Sequence, residues 1–229
     1  MLYVIGTPIG NRRDITLRAL ETLNKCEVVV CEDSRVTGKL FSYYRQEQLM
    51  SAQPRLFAMN EFNEEQKASE ASEMIRQGMI VGLVSDAGMP ALSDPGYRLI
   101  SAVLKMGETI EIIPGPTALT TALPWSGLGG EVVLYLGFLP KKSGKARANL
   151  EAAHKLKAEV KSAKIVLYVS PHRLSKDLAL IEEVMGNVNA VLLRELTKIH
   201  QERVEGTVGE LIVKFDGKKP KGELVLVLQ

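Results

Sequence analysis

Two rhythms of apolar positions alternate along the chain. Short unbroken apolar runs mark strands buried on both faces, and runs with apolar residues every three to four positions mark helices with one buried side. The first run is LYVI, Leu2–Ile5. After it, Ile15, Leu17, Leu20 and Leu23 fall at helical spacing, with Asp14 as the expected N-cap. EVVVC predicts a strand, Ser34 to Tyr44 a helix, RLFAM (Arg55–Met59) a strand, and NEEQKASEASEMIRQG a helix closed by Gly78. MIVGLV reads as a buried strand. PGYRLISAVLKMG reads as a helix with Asp94 as cap, Pro95 at its first position and Gly107 past its end. TIEII then predicts a strand, PGP a turn and TALTTALPW a short helix. In the second half EVVLYLGFLP, KIVLYVS, NAVLLREL and GELVLVL predict strands, and RVEG a short edge strand. A lysine-rich stretch from about Lys145 to Ser162, PHRLSKDLALIEEVM and TVGELIVKF predict the helices between them.

Strands alternating with helices imply α/β layers. The PGP turn separates two stretches of similar size, so the expected division is residues 1–115 and 116–229. Composition changes this picture little: 45% apolar and 24% charged residues describe an ordinary globular chain. The net charge of +2 is too small to imply a nucleic-acid partner by itself, so such a partner must be argued from local clustering. Cys26 and Cys31 flank and occupy one strand without metal-ligand spacing, which predicts buried thiols in a reducing compartment. No apolar run reaches the ~18 residues of a membrane span. MLYVIG enters a strand with no basic leader, so the expected location is the cytoplasm and no membrane partner is expected.

The candidate chemistry lies in the loops. Neither G-x-G-x-x-G after the first strand nor G-x-x-x-x-G-K-[ST] occurs, which removes the usual dinucleotide and phosphate-loop signatures. Three other strand-to-helix loops are shaped by Gly and Pro: GTPIGN (Gly6–Asn11), SDAGMPALSDPG (Ser85–Gly96) and PGPTA (Pro114–Ala118). Gly admits close approach to the backbone and Pro restricts it, and ligands of open α/β sheets collect outside the carboxyl ends of strands. Together the three loops suit a flat, polar, uncharged group such as adenosine; each alone is also a sound strand-to-helix turn. Asp94 is accounted for as a cap. Asp86 directly follows its strand and either supports the loop or contacts a ligand.

Polar residues just past strands form a second set: Glu32, Asp33 and Arg35 in CEDSR, and Arg194, Glu195 and Lys198 in LLRELTK. Mixed charges there bind substrate or do acid–base work, or they are plain surface ion pairs. The third feature is basic. Lys141, Lys142, Lys145, Arg147, Lys155, Lys157, Lys161 and Lys164 face only Glu151 and Glu159. Such a surplus suits a phosphate backbone; a solvated helix face is the plain alternative. His154, His172 and His200 are too isolated for a metal site, and no metal is expected.

The strings YVIGTPIGN, DIT, CEDSR, VSDAGMPALSDPG, IPGPTA, GFLPKK, YVSPHR, REL and KGELVLV occur in one order over essentially the whole chain. In that order they resemble the small-subunit ribosomal RNA methyltransferase I family, 2′-O-methyltransferases of the tetrapyrrole methylase superfamily. The resemblance implies a two-lobed α/β fold, each lobe a mixed sheet flanked by helices, with S-adenosylmethionine as methyl donor in the cleft between lobes. It implies a homodimer acting on 16S rRNA, or the small ribosomal subunit, at the ribose of a cytidine in the decoding centre. Carried onto this sequence, donor contacts fall to Ile9, Asp86, Gly88, Pro90, Ala91, Thr117 and Ala118. In the second half they fall to Leu167, Tyr168, Leu196 and Gly222.

Catalytic candidates are Glu32, Asp33, Arg35, Glu195 and Lys198, with roles unassigned; RNA contacts are expected from Lys141, Lys142, Lys145 and Arg147. The family's EDT is EDS here, which keeps the hydroxyl. Two rivals stand beside this reading: another methylase of the superfamily, acting in a tetrapyrrole or diphthamide pathway, and a non-catalytic RNA-binding assembly factor.

Overall fold

The computed structural model describes residues 1–229. It divides into two compact units, Met1–Thr117 and Ala118–Gln229.

The first unit carries β1 (Leu2–Ile5), β2 (Val28–Cys31), β3 (Arg55–Ala58), β4 (Val81–Leu83) and β5 (Ile110–Ile113). Between them run α1 (Leu17–Leu23), α2 (Ser34–Gln46), α3 (Glu64–Arg76) and α4 (Tyr97–Lys105). The strand order is β3-β2-β4-β1-β5. Every pairing is parallel, where a mixed sheet was expected. The reason is local: a helix fills each strand-to-strand connection, and helical crossovers return the chain to the same end of the sheet.

Alternate side chains point to opposite faces. Val28, Val30, Leu2, Val4 and Leu83 pack on one side with α3 and α4, through residues such as Ile75, Leu99 and Val103. Val29, Cys31 and Ile5 pack on the other with α1 and α2, through Leu20, Leu23, Phe41 and Tyr44. Burial on both faces explains the unbroken apolar runs. Both cysteines are free and buried, and burial pushes the Cys26 thiol up to about 12.

Two caps differ from expectation. Asp14 lies in a 3-10 turn, Arg12–Asp14, capped by Asn11; Thr16 caps α1, its hydroxyl accepting from Ala19 N at 3.1 Å. Neither Asp94 nor Pro95 holds its expected position at α4, which follows Gly96 (φ 131°). The cap comes from another helix: Glu64 Oε1 of α3 accepts from Gly96 N at 2.9 Å and Arg98 N at 3.2 Å.

The second unit holds α5 (Ala118–Ser126), β6 (Val133–Phe138), α6 (Ser143–Glu159), β7 (Lys164–Val169) and α7 (Leu174–Met185). It continues with β8 (Asn189–Arg194), β9 (Glu202–Thr207), α8 (Val208–Phe215) and β10 (Leu224–Leu228). Its sheet, ordered β6-β7-β10-β8-β9, is mixed as expected: β6 and β7 run parallel and the other pairs antiparallel. RVEG belongs to the edge strand β9, which is longer than the sequence suggested. Leu150, Leu178, Ile181 and Leu211 of the helices close over Ile165, Leu167 and Leu226.

Helix α5 is held at both ends. Tyr168 Oη accepts from Leu119 N at 3.2 Å, and the Arg203 guanidinium donates to Trp125 O at 3.0 Å and Ser126 O at 2.8 Å. A cation at the carbonyl end offsets the helix dipole. No helix is long and apolar enough to cross a membrane.

Candidate functional site

In the first unit β1 and β4 are neighbours, yet β1 leads to α1 on one face of the sheet and β4 to α4 on the other. Their connections therefore part at the carboxyl edge, which is where open α/β sheets form a crevice. The loops meet there. Thr7 N donates to Gly88 O at 2.9 Å and Gly88 N to Thr7 O at 3.1 Å. The Thr7 hydroxyl donates to Ser85 O at 3.1 Å. The third loop closes against the first: a Cβ on Gly6 would lie 2.7 Å from both Cα and N of Gly115 and from Met89 Sδ. A Cβ on Gly88 (φ +87°) would touch Ile9 Cγ2 at 3.5 Å and Pro116 O at 3.7 Å. The three Gly/Pro loops thus share one location in the first unit, with Ile9, Gly88 and Pro90 buried and Asp86, Ala91 and Thr117 half-buried; Ala118, the first residue of the second unit, is half-buried as well. The middle loop also holds Ala91 (φ 64°) and Ser93 (φ 68°) in the left-handed region, a conformation that costs a residue with a Cβ and tends to gather at functional sites.

Acidic residues join this edge from the neighbouring strand. Asp33 caps α2, its carboxylate accepting from Arg35 N at 2.8 Å and pairing with Arg35 Nη2 at 2.6 Å. Its own N–H donates to Asp86 Oδ1 at 3.1 Å, tying the loop after β4 to the start of α2. Asp86 therefore supports the loop, one of the two roles open to it from sequence. The carboxyls differ in character. Hydrogen bonds from Arg35 hold Asp33 down at about 2. Burial first, then the charges of Asp86, Glu61 and Asp33, push Glu32 above the usual carboxylate range. Burial also raises Asp86, against the opposing Asp33 N–H.

Among the second unit's candidates, Leu167 and Leu196 are buried. The Tyr168 ring stacks edge-on against Tyr135 and Phe138 at centroid distances of 5.1 and 5.6 Å. Glu195 (φ 53°) and Thr197 (φ 65°) are again left-handed. Glu195 Oε1 accepts from Lys198 Nζ at 2.8 Å and from Glu223 N at 3.0 Å, and Lys198 also reaches Glu223 Oε2 at 3.0 Å. Burial works against both charges, but these bonds prevail: Glu195 is lowered and Lys198 raised. Gly222 (φ +95°) lies so close that a Cβ would be 2.6 Å from Glu195 Cγ. Glu195, Lys198 and Glu223 thus form one hydrogen-bonded knot with Gly222 packed against it, and Lys198 has both its carboxylate partners within the knot.

Residues 1–212 match the family of tetrapyrrole (corrin/porphyrin) methylases. The chain belongs to the tetrapyrrole methylase family. It is 41% identical over 227 residues to ribosomal RNA small subunit methyltransferase I of Thermotoga maritima, covering 99% of this chain and 97% of that one. It is 40% identical over 231 residues to the Escherichia coli O157:H7 protein of the same name, covering 100% of this chain and 77% of that one. Among solved structures it superimposes on uroporphyrin-III C-methyl transferase from Thermus thermophilus, complexed with S-adenyl homocysteine, with a TM-score of 0.70. That match covers 99% of this chain and 96% of the other; at 16% identity it shows the fold alone.

In this tetrapyrrole methylase the basic segment is less uniform than its sequence suggested. Lys141, Lys142 and Lys145 are exposed around the start of α6. Arg147 is paired with Glu183 of α7 at 2.5 Å, and Lys164, 5% exposed at the start of β7, belongs to the interior. Sequence reasoning overlooked Arg173. Its guanidinium donates to Leu139 O at 2.7 Å and Pro140 O at 3.2 Å, and pairs with the buried Asp177 at 2.8 Å. It fixes the chain immediately before Lys141. The Arg–Asp spacing of four on one helix was the available signal.

Proposed function

We propose that this chain methylates the ribosomal RNA of the small subunit, with S-adenosylmethionine as donor, and that the acceptor is the ribose 2′-oxygen of a cytidine in the decoding centre of 16S rRNA. The observation that carries this reading is the likeness over its whole length to proteins named as methyltransferases of small-subunit ribosomal RNA; the meeting of the three loops supports it. Gly6 and Gly115 let the first and third loops meet at main-chain contact beside the buried apolar Ile9 and Pro90, which fits a flat neutral nucleoside. The bound donor supplies an electrophilic methyl group on a positively charged sulfur.

The chain's own task is alignment and proton removal. Asp86 holds the N–H of Asp33 and so fixes the start of α2 against the donor loops. Of the acidic candidates, Glu32 suits the role of proton acceptor, because its raised pKa makes it the stronger base. Asp33, held by Arg35, is the weaker base and serves to orient the guanidinium. Arg35, with a side chain 85% exposed, reaches a substrate phosphate. Glu195 and Lys198 act through the knot with Glu223, shaping the backbone from Glu195 to Thr197.

The reading has a pH signature. Glu32 accepts a proton only when ionised, so the single-turnover rate rises with pH through its titration, above the ordinary value of about 4.3. Glu32→Gln is expected to lose that limb and about 10²- to 10⁴-fold in rate, with donor affinity unchanged. A limb that persists in Glu32→Gln and disappears in Asp33→Asn transfers the role to Asp33.

The function itself is tested by mapping ribose methylation in small-subunit RNA with and without the protein, alongside calorimetric titration with S-adenosylmethionine. No new methylated ribose rejects the reaction; no heat rejects the donor. A cytoplasmic homodimer is part of the reading. Tyr97, Leu104 and Ile112, exposed on α4 and the edge strand β5, offer apolar surface for a second copy. Light scattering at the monomer mass would remove that element.

A further inference from the structure

We propose that α2 and the Arg12–Asp14 turn form a second RNA-phosphate-binding surface, on the first unit and separate from the lysines at the start of α6. Arg35, Lys39 and Tyr43 follow one another at intervals of four along α2, so they line one stripe about 12 Å long. At its far end Arg12 Cζ lies over the Tyr43 ring, 4.8 Å from the centroid. The neighbouring Tyr44 hydroxyl donates to Arg12 O at 2.8 Å. The turn is thereby fastened to α2 at two points, which brings the exposed Arg12 and Arg13 to the end of the row.

Most of the charges there are unspent. Arg76, Arg98, Arg147, Arg173, Arg194 and Arg203 each pair with a carboxylate. Arg12, Arg13 and Lys39 are in none of the chain's ion pairs. Within the row the opposing acids are Asp33, already bound by Arg35, and the half-buried Asp14 of the turn. Four cations against two carboxylates leave a net positive strip on a chain whose total is only +2.

The strip also has a direction. Arg12 directly follows the first donor-type loop, and Arg35 directly follows the acidic cluster at the carboxyl edge. A polyanion lying along it passes the edge where the loops meet. Guanidinium groups match phosphate oxygens two at a time, and arginine planes also accept unstacked RNA bases. A single-stranded stretch of RNA fits this surface; this assignment rests on the reading of the chain as an RNA methylase.

The test is fluorescence anisotropy of a labelled decoding-region RNA oligonucleotide with the full chain, over a range of salt concentrations. The variant is Arg12→Ala/Arg13→Ala/Lys39→Ala, which spares the catalytic candidates. Removing three phosphate contacts should weaken binding more than tenfold at low salt and reduce the slope of log affinity against log salt by about 2, at roughly 0.7 per phosphate. Donor titration should stay as in the wild type, and the melting temperature should fall only slightly, through loss of the Arg12–Tyr43 contact, with the Tyr44 bond to Arg12 O still in place. The single variants Arg13→Ala and Lys39→Ala, at exposed positions, keep the measurement available should the triple variant fold poorly. An unchanged slope where the wild type binds RNA overturns this surface alone. Absence of salt-dependent binding by the wild type overturns it together with the RNA reading, which methylation mapping then rejects independently.

Discussion

Gly6→Ala is expected to lower the rate of methyl transfer by about 100-fold or more and to destabilise the first unit by about 1–3 kcal/mol. The added methyl would sit 2.7 Å from the Cα and N of Gly115 and from Met89 Sδ. The methionine can swing aside. Gly115 is main chain, and it follows a strand bonded to the first loop through Gly6 N and Ile113 O at 3.0 Å. Relief must therefore open the first loop from the third, moving the backbone proposed to hold the donor on both sides; displacements near 1 Å are costly in rate. Calorimetric titration with S-adenosylmethionine and thermal melting check this. Gly144→Ala is the control, since a Cβ there meets nothing within 4 Å. A folded Gly6→Ala protein with wild-type donor affinity would show that the junction of these loops is not where the donor is held.

Arg173→Ala carries the second large effect, about 3 kcal/mol of stability at neutral pH. The substitution strands Asp177, whose side chain is 5% exposed, and frees Leu139 O and Pro140 O. Burial raises Asp177 above its ordinary value even with Arg173 beside it, and loss of the cation raises it further. An acid raised on folding favours the folded state most at pH values below its unfolded pKa and loses that contribution as pH climbs through the folded pKa. Arg173→Ala should accordingly be more damaging at pH 7 than at pH 5, and Asp177→Ala in the same chain should recover part of the loss. Urea denaturation at both values of pH decides the matter. Equal losses at the two, or losses from the two substitutions that simply add, would mean the pair is not coupled.

The strands and helices were legible because Gly and Pro punctuate them and because strands covered on both faces leave unbroken apolar runs, as in Val28–Cys31. The location of the three loops was legible for the same reason. What sequence could not supply is partnership at a distance. Asp94 looked like the cap of α4, but the carboxylate that serves is Glu64, brought by the packing of α3. The lysine-rich stretch looked uniform because a one-dimensional count cannot tell the interior Lys164, or Arg147 already held by Glu183, from the exposed Lys141. Glu32, Asp33 and Asp86 could be named from their places after strands. Their division into a raised and a lowered carboxyl depends on burial and on which of them Arg35 grips.

The order of strands in the first sheet bears on how the chain is made. β1 is made before every other strand of its sheet, yet its two partners, β4 and β5, begin at Val81 and Ile110. While β2 and β3 are already free to pair, Leu2 to Ile5 must wait as an unpartnered apolar ribbon for most of the unit's synthesis. Long-range parallel pairing of this kind closes slowly, and waiting edges invite association with other chains. The nascent chain thus passes through a window of vulnerability that ends only when the loop after β5 emerges and the edge where the three loops meet can assemble.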